Sequence, residues 1–262
     1  MRTLLLVLAL VSTLDLPIAP VKFGDPEPKR EVVPEKPVLP PVEDDPRETP
    51  PPTFYGEDIN VESDSVVYVF DLSGSMNQIS GAYEAPDGSQ QSGRRYASAR
   101  SELVKSLRGL GSNFRFNIVV FDCKVASWAP QLMQASNKNK KSAEIWIRKT
   151  ASRDDGFLGL GQHKKGSWGG DPYVGGVWGG QTATGPAVVF GLKWRQNKKI
   201  ILLTDGAPNC PWGQPDQHLS AILKGNVQGA TIDVFGISAK GVYRAFCQRV
   251  AALSGGSYHD VR

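Results

Sequence analysis

Asp71, Ser73, Ser75, Thr182 and Asp205 offer hydroxyl and carboxylate oxygens from three separate stretches of this 262-residue chain. Oxygen donors of that kind suit a hard divalent cation such as Mg²⁺ or Mn²⁺. Mg²⁺ in particular wants near-octahedral geometry and keeps several waters instead of an all-protein cage. Three of the five form Asp-x-Ser-x-Ser at residues 71–75, where the alternation turns the side chains to one side and Gly74 lets the backbone bend between the serines. That short motif is weak alone, because Asp and Ser also make ordinary turns and caps.

The elements that must position these residues strengthen it. Residues 66–70, Val-Val-Tyr-Val-Phe, form an apolar run that stops abruptly at Asp71, the pattern of a buried parallel strand ending in a polar loop. Residues 198–206 repeat the arrangement, with an apolar run that terminates in Thr204-Asp205-Gly206. Between them, residues 179–192 supply Thr182 just ahead of a helix start marked by Thr184 and by Pro186 in the first turn. All five side chains are thereby expected on one rim of an α/β sheet.

Asp-x-Ser-x-Ser, Gly-Gly-x-Thr-x-Thr-Gly and an apolar strand ending in Thr-Asp-Gly, in that order, resemble the von Willebrand factor type A domain over roughly residues 64–262. In that family the set forms a metal-ion-dependent adhesion site. The resemblance implies that Ser73 and Ser75 bind the metal directly, that Thr182 does so in the ligand-competent state, and that Asp71 and Asp205 act largely through water. Thr184 is the rival for the threonine role. Thr182 is preferred as the first threonine of the pair, which leaves Thr184 as a helix cap.

The remaining periodicity fits a doubly wound, Rossmann-like α/β fold with helices on both faces of a mostly parallel six-stranded sheet. Helices are predicted over 96–110, with Leu103, Leu107 and Leu110 on one face, over 140–150, over 216–226 with Leu219, Ile222 and Leu223, and over 242–253. Strands are predicted over 114–122, 231–238 and 256–261. The resemblance implies one short antiparallel edge strand at Val125 to Trp128. Two insertions border the predicted metal rim. Residues 77–93 carry Glu84 and Asp87, either of which would cap the metal if it filled the open coordination site. Residues 156–180 contain ten glycines with Phe157, Trp168, Tyr173 and Trp178, a long loop whose aromatics either contact a partner or pack on their own scaffold.

Residues 1–19 read as a secretory signal, with one basic residue, an apolar run from Leu4 to Val11 and then small residues. Asp15 and Pro20 make it imperfect, so an uncleaved N-terminal membrane tether is the alternative. Residues 20–63 read as a disordered proline-rich linker, twelve of the nineteen prolines falling between 17 and 52. A net charge of +4 is modest. The basic clusters at Arg94–Arg95, Lys138–Lys141, Lys164–Lys165 and Lys193–Lys199 read as solvated surface, and no stacking platform for nucleic acid accompanies them. The three cysteines make no zinc pattern with His163, His218 and His259. Cys247 falls on an apolar helical face with Tyr243, Phe246, Val250 and Leu253. In the family's strand order, the strands before Cys123 and Cys210 flank the first one about 10 Å apart, a gap their loops must close for a disulfide to form.

These observations point to an exported, secreted, periplasmic or cell-surface binding module. Its cation would capture a Glu or Asp carboxylate of a protein or surface ligand. Neutral hydroxyls leave the ion's charge incompletely compensated, and a partner's carboxylate completes the shell. Two other readings are a Mg²⁺-dependent hydrolase using a metal-bound water and a structural part with an unused metal site. Against an enzyme, no histidine is near either carboxylate motif in sequence, and neither a nucleophile elbow nor a phosphate-cradling Gly-Lys-Ser/Thr is found.

Overall fold

The computed structural model describes residues 52–59, 63–150, 181–206, 208–210 and 212–261. The segment 1–19, most of the stretch 20–63 and the glycine-rich loop 156–180 lie outside these described residues. In chain order the elements are β1 (Thr53–Phe54), β2 (Glu57–Asp58), β3 (Ser65–Asp71), a 3₁₀ turn (Gly74–Asn77), β4 (Ile79–Glu84), β5 (Gln90–Arg94), α1 (Arg95–Gly109) and β6 (Arg115–Phe121). They continue with β7 (Val125–Ser127), β8 (Met133–Gln134), α2 (Asn137–Thr150), α3 (Thr184–Gly191), β9 (Lys199–Thr204), α4 (Pro215–Gly225), β10 (Thr231–Ile237), α5 (Gly241–Ser254) and β11 (Tyr258–Val261).

The main sheet runs β11-β10-β9-β3-β6-β7, with the two-residue β8 also paired to β6. The pairs from β11 through β6 are parallel, while β7 and β8 return antiparallel. This is the doubly wound sheet expected from the sequence, with β8 as a small addition. Strand β3 sits at its centre, every residue buried, and its side chains alternate between two cores. Val66, Tyr68 and Phe70 join Leu103 and Leu107 of α1 and Ile147 of α2 on one face. Val67 and Val69 join Val188 of α3, Ile222 of α4 and Val250 of α5 on the other. Each fully buried Val, Leu or Phe of this kind contributes about 1.5–3 kcal/mol of transfer free energy.

Three readings change at this level. Residues 53–58, assigned by composition to the spacer, pair as the β1–β2 hairpin. Tyr55 and Gly56 at its turn both have positive φ, as a two-residue hairpin requires. Phe54 is buried and packs edge-on to Phe235 with centroids 4.8 Å apart. One apolar residue every few positions was enough to anchor this segment despite the neighbouring prolines. Residues 77–93, read only as an insertion, contain most of the β4–β5 hairpin. In α5 the buried face is Phe246, Cys247, Val250 and Ala251, whereas Tyr243 and Leu253 are exposed, so the expected stripe was rotated by about one residue. Leu223 of α4 is likewise exposed.

Candidate metal centre

Asp71 ends β3 and Asp205 follows β9, and these strands are direct neighbours, so both carboxylates arrive at one rim. Asp71 is fully buried and held from two sides. The Ser73 backbone N–H donates to its Oδ1 at 2.7 Å and the Thr204 hydroxyl donates to its Oδ2 at 2.6 Å. Burial, followed by the charge of Asp205, pushes the Asp71 carboxyl up to about 7, against the hydrogen bonds from Thr204 and Ser73. The 3₁₀ turn after Ser73 then presents Ser75, whose hydroxyl donates to Asp205 Oδ1 at 2.7 Å while lying 3.1 Å from the Ser73 hydroxyl. Ser73 stands at the N-cap position of that turn but makes no side-chain cap bond.

Thr182 is fixed through its backbone. Its N–H donates to Asn209 Oδ1 at 2.8 Å, and its carbonyl accepts from the Asn209 and Cys210 N–H groups at 2.9 and 3.2 Å. It shares with Ser75, Asp205, Arg95, Asn209 and Lys240 the lining of an open depression of about 360 Å³. Thr184 does not line that depression. Nor does it cap the helix: α3 begins at Thr184 itself, the N-cap residue is Ala183, and the buried Thr184 hydroxyl has no hydrogen-bond partner among the described residues.

The loops that carry these residues are tied together. Cys123, just after β6, and Cys210, after β9, form a disulfide with Cα atoms 5.5 Å apart, so their loops do close the gap. Behind them, His218 of α4 is fully buried, accepting from the Gly185 N–H on Nδ1 at 3.0 Å and contacting the Trp212 carbonyl through Nε2 at 2.8 Å. Accepting on Nδ1 and donating from Nε2 defines a neutral ring, and burial lowers its tendency to protonate. A Cβ on Gly185 would lie 2.8 Å from that Nδ1 and 2.9 Å from the His218 Cα, so only glycine lets α3 approach α4 this closely. Sequence reading set His218 aside because it pairs with no cysteine. Its contacts on two loops of the rim were not visible in local spacing.

Arg95 is the principal residue that sequence reading misplaced. It was grouped with solvated basic residues, yet its side chain is 16 % exposed and its Nη1 lies 2.6 Å from Asp205 Oδ2. The cause is the hairpin. Strands β4 and β5 fold back so that the Arg95 N–H donates to the Gln78 carbonyl at 2.9 Å, which returns the start of α1 to the rim just after the serine motif. The same hairpin carries Asp87 to its tip, where it accepts from the Ser89 N–H and hydroxyl, and leaves Glu84 ion-paired with Lys105. Neither acid lines the depression, so neither is the internal cap considered above. Other basic residues also proved structural: Lys199 is buried in an ion pair with Asp233, and Lys140 donates to the carbonyls of Arg108 and Leu110 at the end of α1.

Two stretches of the sequence, 87–163 and 186–260, match the family model of the von Willebrand factor type A domain and together make up more than half of the chain. The chain belongs to the von Willebrand factor type A family. A segment of 90 residues, 34 % of this type A chain, is 32 % identical to human inter-alpha-trypsin inhibitor heavy chain H4 and spans 8 % of that protein's length. The fold is similar to a von Willebrand factor type A structure from Catenulispora acidiphila at 17 % identity, with a TM-score of 0.52 over 76 % of this chain and 38 % of that one. Of the five rim residues only Asp205 falls within the matched stretches, so family membership assigns no role to the other four.

The donor set of this type A domain fits a hard cation on its own chemistry. Every side-chain donor is oxygen, the two serine hydroxyls are close enough to share one ion, and a hydroxyl that donates to a carboxylate keeps its lone pairs for a metal. Among the described residues no group of three or more His, Cys, Asp or Glu could hold a metal.

Proposed function

We propose that this type A domain is a metal-dependent binding module in which Ser73, Ser75 and Thr182, backed by Asp71 and Asp205, hold Mg²⁺ or Mn²⁺ and capture a carboxylate from a protein or surface ligand. The observation that carries the reading is the pair of serine hydroxyls 3.1 Å apart, of which Ser75 donates to Asp205 and lines the depression while Ser73 is buried behind it. The bound ion would supply an open Lewis-acidic position there, and the ligand's acid would complete its charge balance.

The surroundings support a protein ligand with an acidic group. Lys240 and Arg95 make the lining basic. Tyr243, 45 % exposed, adds an aromatic ring to that lining. Binding is favoured over turnover because both carboxylates are committed, Asp71 to Ser73 and Thr204, Asp205 to Ser75 and Arg95. The Cys123–Cys210 disulfide suits an oxidising compartment, in keeping with an exported protein.

Calorimetric titration of the chelator-stripped full chain with Mn²⁺ and Mg²⁺ tests the proposal. Saturable binding that disappears in Asp205→Ala, followed by metal-dependent binding of a Glu-containing peptide without its hydrolysis, is the expected result. A wild-type chain that takes up neither ion would overturn it.

A further inference from the structure

Building on the reading of this rim as a divalent-cation site, we propose that Arg95 is a positioning residue that sets the site's metal affinity by competing for the charge of Asp205. The two oxygens of Asp205 are divided between Ser75, which donates to Oδ1 at 2.7 Å, and the Arg95 guanidinium, 2.6 Å from Oδ2. An ion on the serine hydroxyls and the guanidinium therefore draw on the same carboxylate, which is 1 % exposed and screened from water. Asp71 is the other acid of the rim set, so an arginine on Asp205 offsets the charge of one of the two carboxylates that the set offers to a cation.

Two further observations mark the arginine as exchangeable. Its Nε is buried and has no hydrogen-bond partner among the described residues, so within them the guanidinium is incompletely satisfied where it sits. Arg95 also lines the open depression of about 360 Å³. The side chain thus has room to swing off Asp205 when an ion takes up that charge, without unfolding α1. Arginine and lysine differ here: the guanidinium meets a carboxylate with a planar fork of donors, whereas the ammonium is a compact, strongly hydrated point charge on a flexible four-carbon stem. Lysine at 95 would hold Asp205 less firmly.

The test compares the chelator-stripped full chain with Arg95→Gln and Arg95→Lys by Mn²⁺ titration and by melting in chelator and in saturating Mn²⁺. The glutamine variant is expected to bind Mn²⁺ roughly tenfold more tightly than wild type, with the lysine variant between them. In chelator Arg95→Gln melts below wild type, since Asp205 has lost its counter-charge, and saturating Mn²⁺ closes that gap. A purely structural arginine predicts instead that the deficit persists in metal and that affinity is unchanged or weaker; either finding overturns the proposal. If Arg95→Gln does not fold in chelator, the comparison of lysine with wild type decides, and lysine binding no tighter than arginine overturns it. Wild type and both variants all failing to bind Mn²⁺ would overturn the metal site itself, whereas equal binding by all three would overturn only the role of Arg95.

Discussion

The two ends of β9 each carry a buried cation–carboxylate pair, and they are built differently. At its first residue, Lys199 pairs with Asp233 of β10, both side chains under a tenth exposed, and Asp233 also accepts from the Ser257 N–H at 2.8 Å. Both charges come from neighbouring strands of the sheet, and the acid is further satisfied by the backbone leading into β11. Just past its last residue, Asp205 pairs with Arg95, which comes from a helix behind a hairpin and leaves its Nε unpartnered beside an open depression. The first pair belongs to the sheet and the second sits on the rim proposed to bind a cation. Burial of charge alone therefore says little about role. What separates the two is whether every polar atom is satisfied by the fold itself.

Breaking the closed pair should give the largest effect. Lys199→Met leaves Asp233 buried and uncompensated, and urea unfolding should show a loss of about 3–5 kcal/mol. That loss is expected to be the same with and without Mn²⁺, in contrast to Arg95→Gln. At the rim, removing the disulfide with Cys123→Ser and Cys210→Ser should cost about 2–4 kcal/mol. It should also weaken Mn²⁺ binding, because Thr182 is held by backbone bonds to Asn209 and Cys210. Equal metal affinity in the double serine variant would separate the strap from the site. Gly185→Ala comes next, with about 1–3 kcal/mol lost to the clash with His218, readable by thermal melting.

The smallest effect is a pH dependence confined to the rim end of the domain. His218 is held neutral by burial, so its protonation is disfavoured in the folded state relative to the unfolded chain. Its contribution is fully present above the ordinary histidine value of 6.5 and is lost as pH falls below that value. Denaturation midpoints measured from pH 8 to pH 5 should carry this acid-side loss in the wild type, set against the opposite contribution of Asp71, whose raised carboxyl favours the folded state as pH falls. His218→Gln should flatten that part of the slope. An unchanged slope would assign the acid sensitivity elsewhere.

The order of these effects also separates what was legible in the sequence. Buried parallel strands announce themselves as apolar runs, and the polar residue that ends each run must stand at the strand's carboxyl end. The placement of Asp71 and Asp205 therefore followed from local pattern plus the doubly wound order, and so did the leucine face of α1 and the buried Cys247 thiol, which burial pushes up to about 12. Periodicity misjudged Tyr243 and Leu253 because a helix's buried arc depends on the angle at which it meets the sheet, and no window of sequence contains that angle.

Arg95, His218 and the β1–β2 hairpin were beyond local reading for one shared reason: each acts through a partner far away in the chain. Arg95 reaches Asp205 across 110 positions, and His218 reaches Gly185 across 33. The types and spacing of the five oxygen-bearing residues were determined by the sequence alone, since a strand end and a tight turn are short-range events. Which cation sits against Asp205, which threonine faces the depression and which loops are tied around it were decided only by tertiary structure. Those depend on surfaces brought together by burial of the two cores and not on any run of neighbouring residues.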